Sequence, residues 1–225
     1  MVATSPHPFR PSVTLHEPAT LLTDCLLALL GGSLTYRLHH GISPGNTAAR
    51  WWVVALFVMS ISATVGGSYH GFGLNFPAPL AAFWWKSVLI LVCTTGFCMG
   101  VSLIREIVPP ERQHLWHRCA IAKFILSVAW VIADPRFFYG LLDYALAMVA
   151  WAVAALVYRR SWSGWVLAAV GLSAVAGWVQ QGRWGISGHF NHNDVYHIIQ
   201  ALALIGFYRA GRLFSGMGVN PGNTR

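Results

Sequence analysis

The side chains in this chain best suited to chemistry are a few imidazoles and carboxylates at the margins of apolar runs. His70 ends one run, in the string GGSYHGF, and His192, Asp194 and His197 open another, in HFNHNDVYH. Polar groups are costly in hydrocarbon, so their clustering at the ends of apolar segments marks a candidate site. Asp194 and His197 are three residues apart, and Asn193 and His197 four, so on a helix they share a face. His192 lies five before His197 and fits that face less well. Imidazole and carboxylate suit a borderline cation such as zinc. A metal set of His70, His192, Asp194 and His197 would clip the two runs together. The plainer alternative is that these groups satisfy one another at a wet membrane surface.

The elements that must position these residues are read from hydropathy. A spanning helix needs about 20 apolar residues. Seven runs qualify: 20–38, 51–69, 80–104, 115–133, 137–158, 162–180 and 195–214. Hydrophobic residues make up 56% of the 225 residues and charged ones 10%, against about 25% charged in soluble domains. The expected fold is all-α, a single seven-transmembrane-helix bundle over 1–214, with a flexible tail at 215–225. The net charge of +8 would suggest nucleic acid in a soluble protein. Here the basic residues sit in short loops, which excludes that class and points to topology and contact with membrane lipids.

Orientation follows from the loops. One set holds Arg37, Arg50, Arg105, Arg112, Arg118, Arg159, Arg160, Arg209, Arg212 and Arg225, ten in all; the other holds Arg10, Arg136 and Arg183, three. The positive-inside rule places the N-terminus outside and the C-terminus in the cytoplasm of a multi-pass protein of the cell (plasma) inner membrane. On that frame Glu17, Asp24, His70, Lys86, Asp134, Asp143 and the 189–197 cluster all fall toward the outer end. Lys123 lies inside the fourth run near its charged end, where it would snorkel. Asp143 lies about two turns into the fifth run, and Lys86 is its expected partner by depth.

A helix-two end of the form GS…H and a histidine pair opening helix seven, on a seven-helix frame with an outside N-terminus, resemble the CREST superfamily of alkaline ceramidases and adiponectin-receptor-like proteins. The resemblance implies a zinc-dependent membrane hydrolase of a lipid amide or ester. By it His70 matches the helix-two zinc ligand and His197 the second helix-seven histidine, with Glu17 or Asp24 as the early helix-one acid. The chain departs from the pattern at three places. Asn193 stands where the first helix-seven histidine falls, Gly66 where the family serine falls (Ser68 lies two before His70), and helix three has Lys86 in place of an acid.

In such a hydrolase zinc would bring a bound water toward a pKa of about 7. Asp194 or Asp24 would be the general base, and Ser68 or Lys86 the oxyanion partner. The lipid substrate would enter sideways from the outer leaflet. Two other classes use the same residues. A transporter or receptor would use Asp24, Lys86, Asp143 and the histidines as a solute or proton path. A b-type haem protein would use His70 and His197 as axial ligands.

Two features read as structural. Trp51, Trp52, Trp84, Trp116, Trp162 and Trp184 lie near run ends, as an interfacial belt would. Cys25, Cys93, Cys98 and Cys119 have no metal-ligand spacing and read as small buried apolar groups.

Overall fold

Each apolar run forms one helix in the computed structural model, which describes residues 13–214. The helices are α1 (Pro18–Gly41), α2 (Thr47–Phe72), α3 (Ala78–Ile107), α4 (Pro110–Ala133), α5 (Phe137–Tyr158), α6 (Ser163–Gly182) and α7 (His192–Gly211), with a 3-10 turn at Gly73–Asn75 after α2. Proline marks the starts of α1, α3 and α4, where its missing N–H removes nothing from the helix ladder. Asn46 caps α2 by accepting from the Ala49 N–H at 3.0 Å. The described residues contain helices and connecting turns and no strands.

Among the described residues, six helices are long and apolar enough to cross a membrane, α1 to α6. α7 differs in composition. It begins at His192, three residues before the expected boundary, and so takes in Asp194, which is buried together with His197 and Gln200. A helix whose polar residues face its neighbours needs less apolar surface than one in contact with lipid.

Six of the seven helices form a closed ring in the order α1, α2, α3, α5, α6, α7 and back to α1, each packed on the next. α4 stands outside, touching only α3 and α5 among the described elements. Its Leu115, Trp116, Ile125, Leu126 and Trp130 are exposed, as side chains facing acyl chains would be.

One end of the ring is filled by aromatic rings. Trp151 stacks on Phe214 at 4.8 Å and 11°, and Trp52 meets Trp151 edge-on at 4.8 Å. Each buried indole N–H has a partner: Trp52 donates to Phe207 O, Trp151 to Met99 O and Trp162 to Glu106 Oε1, all at 2.9 Å. Trp52 and Trp162 are therefore core residues, 0% and 1% exposed, and not members of an interfacial belt. Their N–H groups found acceptors inside the bundle, which removes the need to reach the headgroups. The C-terminus of α2 and the N-termini of α1, α3, α5 and α7 gather at the other end, where the polar residues lie.

Candidate functional site

A cavity of about 310 Å³ opens inside the ring at this polar end, and every ring helix contributes to its wall. Its sides are mostly apolar, with Leu27, Met59, Val88 and Val92 among them. Asp24, His70 and His197 line it together, so the imidazoles at the ends of α2 and α7 do meet in one space.

Asp24 and His197 form the buried centre of the site. His197 Nε2 lies 3.2 Å from Asp24 Oδ1, and its Nδ1 lies 3.0 Å from Thr23 Oγ1. Both ring nitrogens are thus occupied, and the imidazole is fixed by two residues of α1. Asp24 is 4% exposed, and its second oxygen, Oδ2, has no hydrogen-bond partner. Gly67 allows this geometry. A Cβ there would lie 2.6 Å from Asp24 Cβ, so only glycine lets α2 approach the carboxylate so closely.

Glu17, at the start of α1, reaches two residues of the cavity wall, His70 and Asn193. Its Oε2 lies 3.4 Å from His70 Nδ1 and accepts from Asn191 Nδ2 at 3.3 Å, Asn193 Nδ2 at 3.4 Å and Thr20 Oγ1 at 3.2 Å. One carboxylate thereby ties α1 to α2 and α7. Partial burial pushes the Glu17 carboxyl up, but the His70 charge and the hydrogen bonds from His70, Asn191 and Thr20 outweigh it and hold it below its ordinary value. The chain before Glu17 is strapped to the same end of α2, through His16 N to Gly71 O at 3.1 Å and a two-bond pairing of Thr14 with Asn75.

The remaining candidates are placed elsewhere. Asp194, 0% exposed, is a helix cap: its Oδ2 accepts from Asn191 N at 2.6 Å, and Asn191 Oδ1 accepts from Asn193 N at 2.7 Å. Its Oδ1 accepts from Thr23 Oγ1 at 3.4 Å. With both oxygens taken by the protein, Asp194 is a positioning group and not a base facing the cavity. His192 stands at the first position of α7, outside the cavity wall. Ser68 Oγ donates back to Thr64 O and Val65 O of its own helix, each at 2.9 Å, and does not reach the cavity. Lys86 is not on the cavity wall and does not pair with Asp143. The partner of Asp143 is Lys123 of α4, Nζ to Oδ1 at 2.7 Å, so Lys123 is held inward instead of snorkelling.

Among the described residues, no group of three or more His, Cys, Asp or Glu side chains is placed to hold a metal ion. His197 has spent both nitrogens on protein partners, Asp194 both oxygens, and His192 faces elsewhere. The residues as arranged do not fit the expected zinc set.

Several residues of the site carried no obvious sequence signal. Thr23 and Thr20 look like ordinary helix residues, and Tyr196, Gln200 and Gln180 like scattered polar groups in apolar runs. Glu17 stood out as an acid before α1, but its bridging role depends on α7 being beside α1. The Asn191-x-x-Asp194 capping box was visible in the string NHND and identifies Asp194 as structural.

Comparison with curated proteins gave no match, and comparison with solved structures gave none. A family of unknown function (DUF6962) matches residues 19–215, from the first turn of α1 to just past Phe214. That match covers all seven helices, and the chain belongs to this family.

Proposed function

We propose that this protein is a multi-pass membrane protein that captures a small amphiphile in the ring cavity, apolar body against the α2 and α3 side chains and polar head at Asp24. The carrying observation is Asp24, a buried acid on the wall of a largely apolar cavity, whose Oδ2 has no hydrogen-bond partner. An orphaned buried acceptor costs about 1–3 kcal/mol, a cost that a bound donor relieves. The aromatic packing at the other end closes the ring below the cavity, which favours capture over conduction. The excess of arginines in the loops at that closed end supports placing it in the cytoplasm, with the cavity opening to the outer side of a cell inner membrane.

The test is a binding titration on full-length protein in phosphatidylcholine nanodiscs, with empty nanodiscs as the partition control. Saturable binding of one amphiphile per chain, weakened in a Gly66→Leu variant that fills the cavity, is the expected result. Absence of saturable binding by any single-chain amphiphile overturns the reading.

A second reading, hydrolysis of a lipid amide or ester, is favoured by one observation. The Asp24 carboxylate is backed by an imidazole at 3.2 Å, a pairing that suits proton transfer. It would appear as turnover of bound amphiphile, abolished in Asp24→Asn.

A further inference from the structure

We infer that Thr23 is the positioning residue of the buried Asp24–His197 pair. Its hydroxyl accepts from His197 Nδ1–H, and this leaves one proton shared between His197 Nε2 and Asp24 Oδ1. The pair has this arrangement whether the cavity only captures its ligand or also turns it over.

A hydroxyl has one proton to give and two lone pairs that accept. Thr23 Oγ1 has three polar neighbours: Thr20 O at 3.1 Å, Asp194 Oδ1 at 3.4 Å and His197 Nδ1 at 3.0 Å. The first two, a carbonyl and a capping carboxylate, can only accept. The imidazole nitrogen can do either, depending on the tautomer. If Thr23 gave its proton to the ring, both oxygens would face bare lone pairs of the hydroxyl. Asp194 Oδ1 would also lose the donor it has in Thr23. With the hydroxyl proton turned to these oxygens, the ring must donate, from Nδ1–H to Oγ1. This tautomer gives the buried Asp194 a donor for each oxygen, the other being Asn191 N–H at 2.6 Å.

The tautomer fixes what meets Asp24. A neutral imidazole protonated at Nδ1 is bare at Nε2, and Nε2 lies 3.2 Å from Asp24 Oδ1. Two bare acceptors at this distance repel, so one proton lies between them. It makes either a neutral acid beside a neutral ring or a carboxylate beside an imidazolium, and the pair has no net charge in both. In the Ser-His-Asp arrangement the ring donates to the carboxylate and keeps its far nitrogen bare for chemistry. Here Thr23 occupies the far nitrogen, and the pair keeps its proton. Such a pair gives a proton to a bound ligand before it can take one.

The packing holds the ring to this choice. Thr23 and Asp24 are consecutive residues of α1, so one stretch of backbone grips both nitrogens. Asp194 precedes His197 by one turn of α7 and reaches the same hydroxyl, which joins the α7 cap to the pair. Gly67 brings α2 against the other side of Asp24. The nearby Glu17 is engaged with His70, Asn191, Asn193 and Thr20. No Lys or Arg lines the cavity among the described residues.

The experiment reads the ring nitrogens by 15N NMR of histidine-labelled, full-length protein in phosphatidylcholine nanodiscs at pH 7, after chelator treatment. His197 is the one histidine followed by isoleucine, so labelling the His–Ile pair assigns it. The wild type is expected to show a protonated Nδ1. Thr23→Val keeps the shape and removes the hydroxyl. It should shift Nδ1 from the protonated to the bare range, as the ring turns to its Nε2–H tautomer and donates to Asp24. Thr23→Ala carries this arm if Thr23→Val does not fold. Thr23→Ser should keep the wild-type signal. A purely structural Thr23 would lower Tm without moving these shifts. A bare Nδ1 in the wild type overturns the inference. So does a protonated Nδ1 in a folded variant without the hydroxyl, or a bare one in Thr23→Ser.

Discussion

Lys123 of α4 reaches Asp143 of α5 at 2.7 Å, and this ion pair ties the middle of the outlying helix to the ring. Lys123 also donates to the Asp143 carbonyl at 3.3 Å. Asp143 is 3% exposed and sits against Gly96, where a Cβ would come within 2.6 Å of Oδ2. Removing one partner of a buried pair costs far more than removing both. Lys123→Met should therefore destabilise the protein by about 3–5 kcal/mol, seen as a large drop in Tm in detergent. The double variant with Asp143→Leu should recover most of that loss. Equal damage in the single and double variants would show the pair to be incidental.

Gly66 and Gly67 are adjacent but should respond oppositely to alanine. At Gly67 the new Cβ meets Asp24 Cβ at 2.6 Å, and an overpacked contact of this kind costs about 1–3 kcal/mol. At Gly66 the nearest atoms, Asp24 Oδ2 and Val88 Cγ1, are at an ordinary 3.8 Å. Gly66→Ala should leave Tm unchanged or raised, since alanine favours a helix by about 1 kcal/mol over glycine, while weakening ligand binding beside Asp24. Thermal melts of both variants with a binding titration of Gly66→Ala check the contrast.

Glu17 gives a pH dependence with a definite sign. Its carboxyl is held below the ordinary 4.5, so it stabilises the folded state above that pH and loses its contribution as pH falls through the lowered folded value. Wild-type Tm should decline as pH drops from 4.5 downward, and Glu17→Gln should flatten that part of the profile. A variant whose acid profile overlays the wild type would remove Glu17 from the tie between α1, α2 and α7.

Metal removal should have no effect. Protein purified without added metal should carry well under one zinc per chain, and a chelator should leave Tm and amphiphile binding unchanged. Stoichiometric zinc, lost in His70→Ala and His197→Ala, would reinstate the metal reading and require His197 to release a protein partner.

The helix count and the convergence of His70 with His197 were legible because serial helices alternate direction, so the end of the second and the start of the seventh fall at one end of any such bundle. Ring order was not legible, and two errors came from it. Lys86 looked level with Asp143 when counted in residues from the nearest helix start. Asp143 in fact lies beside Gly96, ten residues further along α3, or about 15 Å at 1.5 Å per residue. The longer α3 runs past its neighbours, and position along one helix does not give depth in another. Lys123 looked ready to snorkel because nothing in the sequence places α4 against α5 at that height. Trp52 and Trp162 looked interfacial for the same reason: a run end is a lipid boundary only if no neighbour covers it. Asp194 resembled a catalytic acid because capping acids and catalytic acids share a residue type, and the spacing to Asn191 separates them.

The position of α4 has a consequence for how the chain is made. α4 is synthesised before α5, and until α5 arrives its lysine has no counter-ion. A lone lysine at mid-bilayer costs about 2.5–3.5 kcal/mol, so the fourth segment is poorly suited to insert by itself. The turn between them is short, and Arg136 Nη2 grips Asp134 Oδ2 across it at 2.6 Å. The fourth and fifth segments are thus built to enter the bilayer together as a hairpin, with the charge neutralised on the way in.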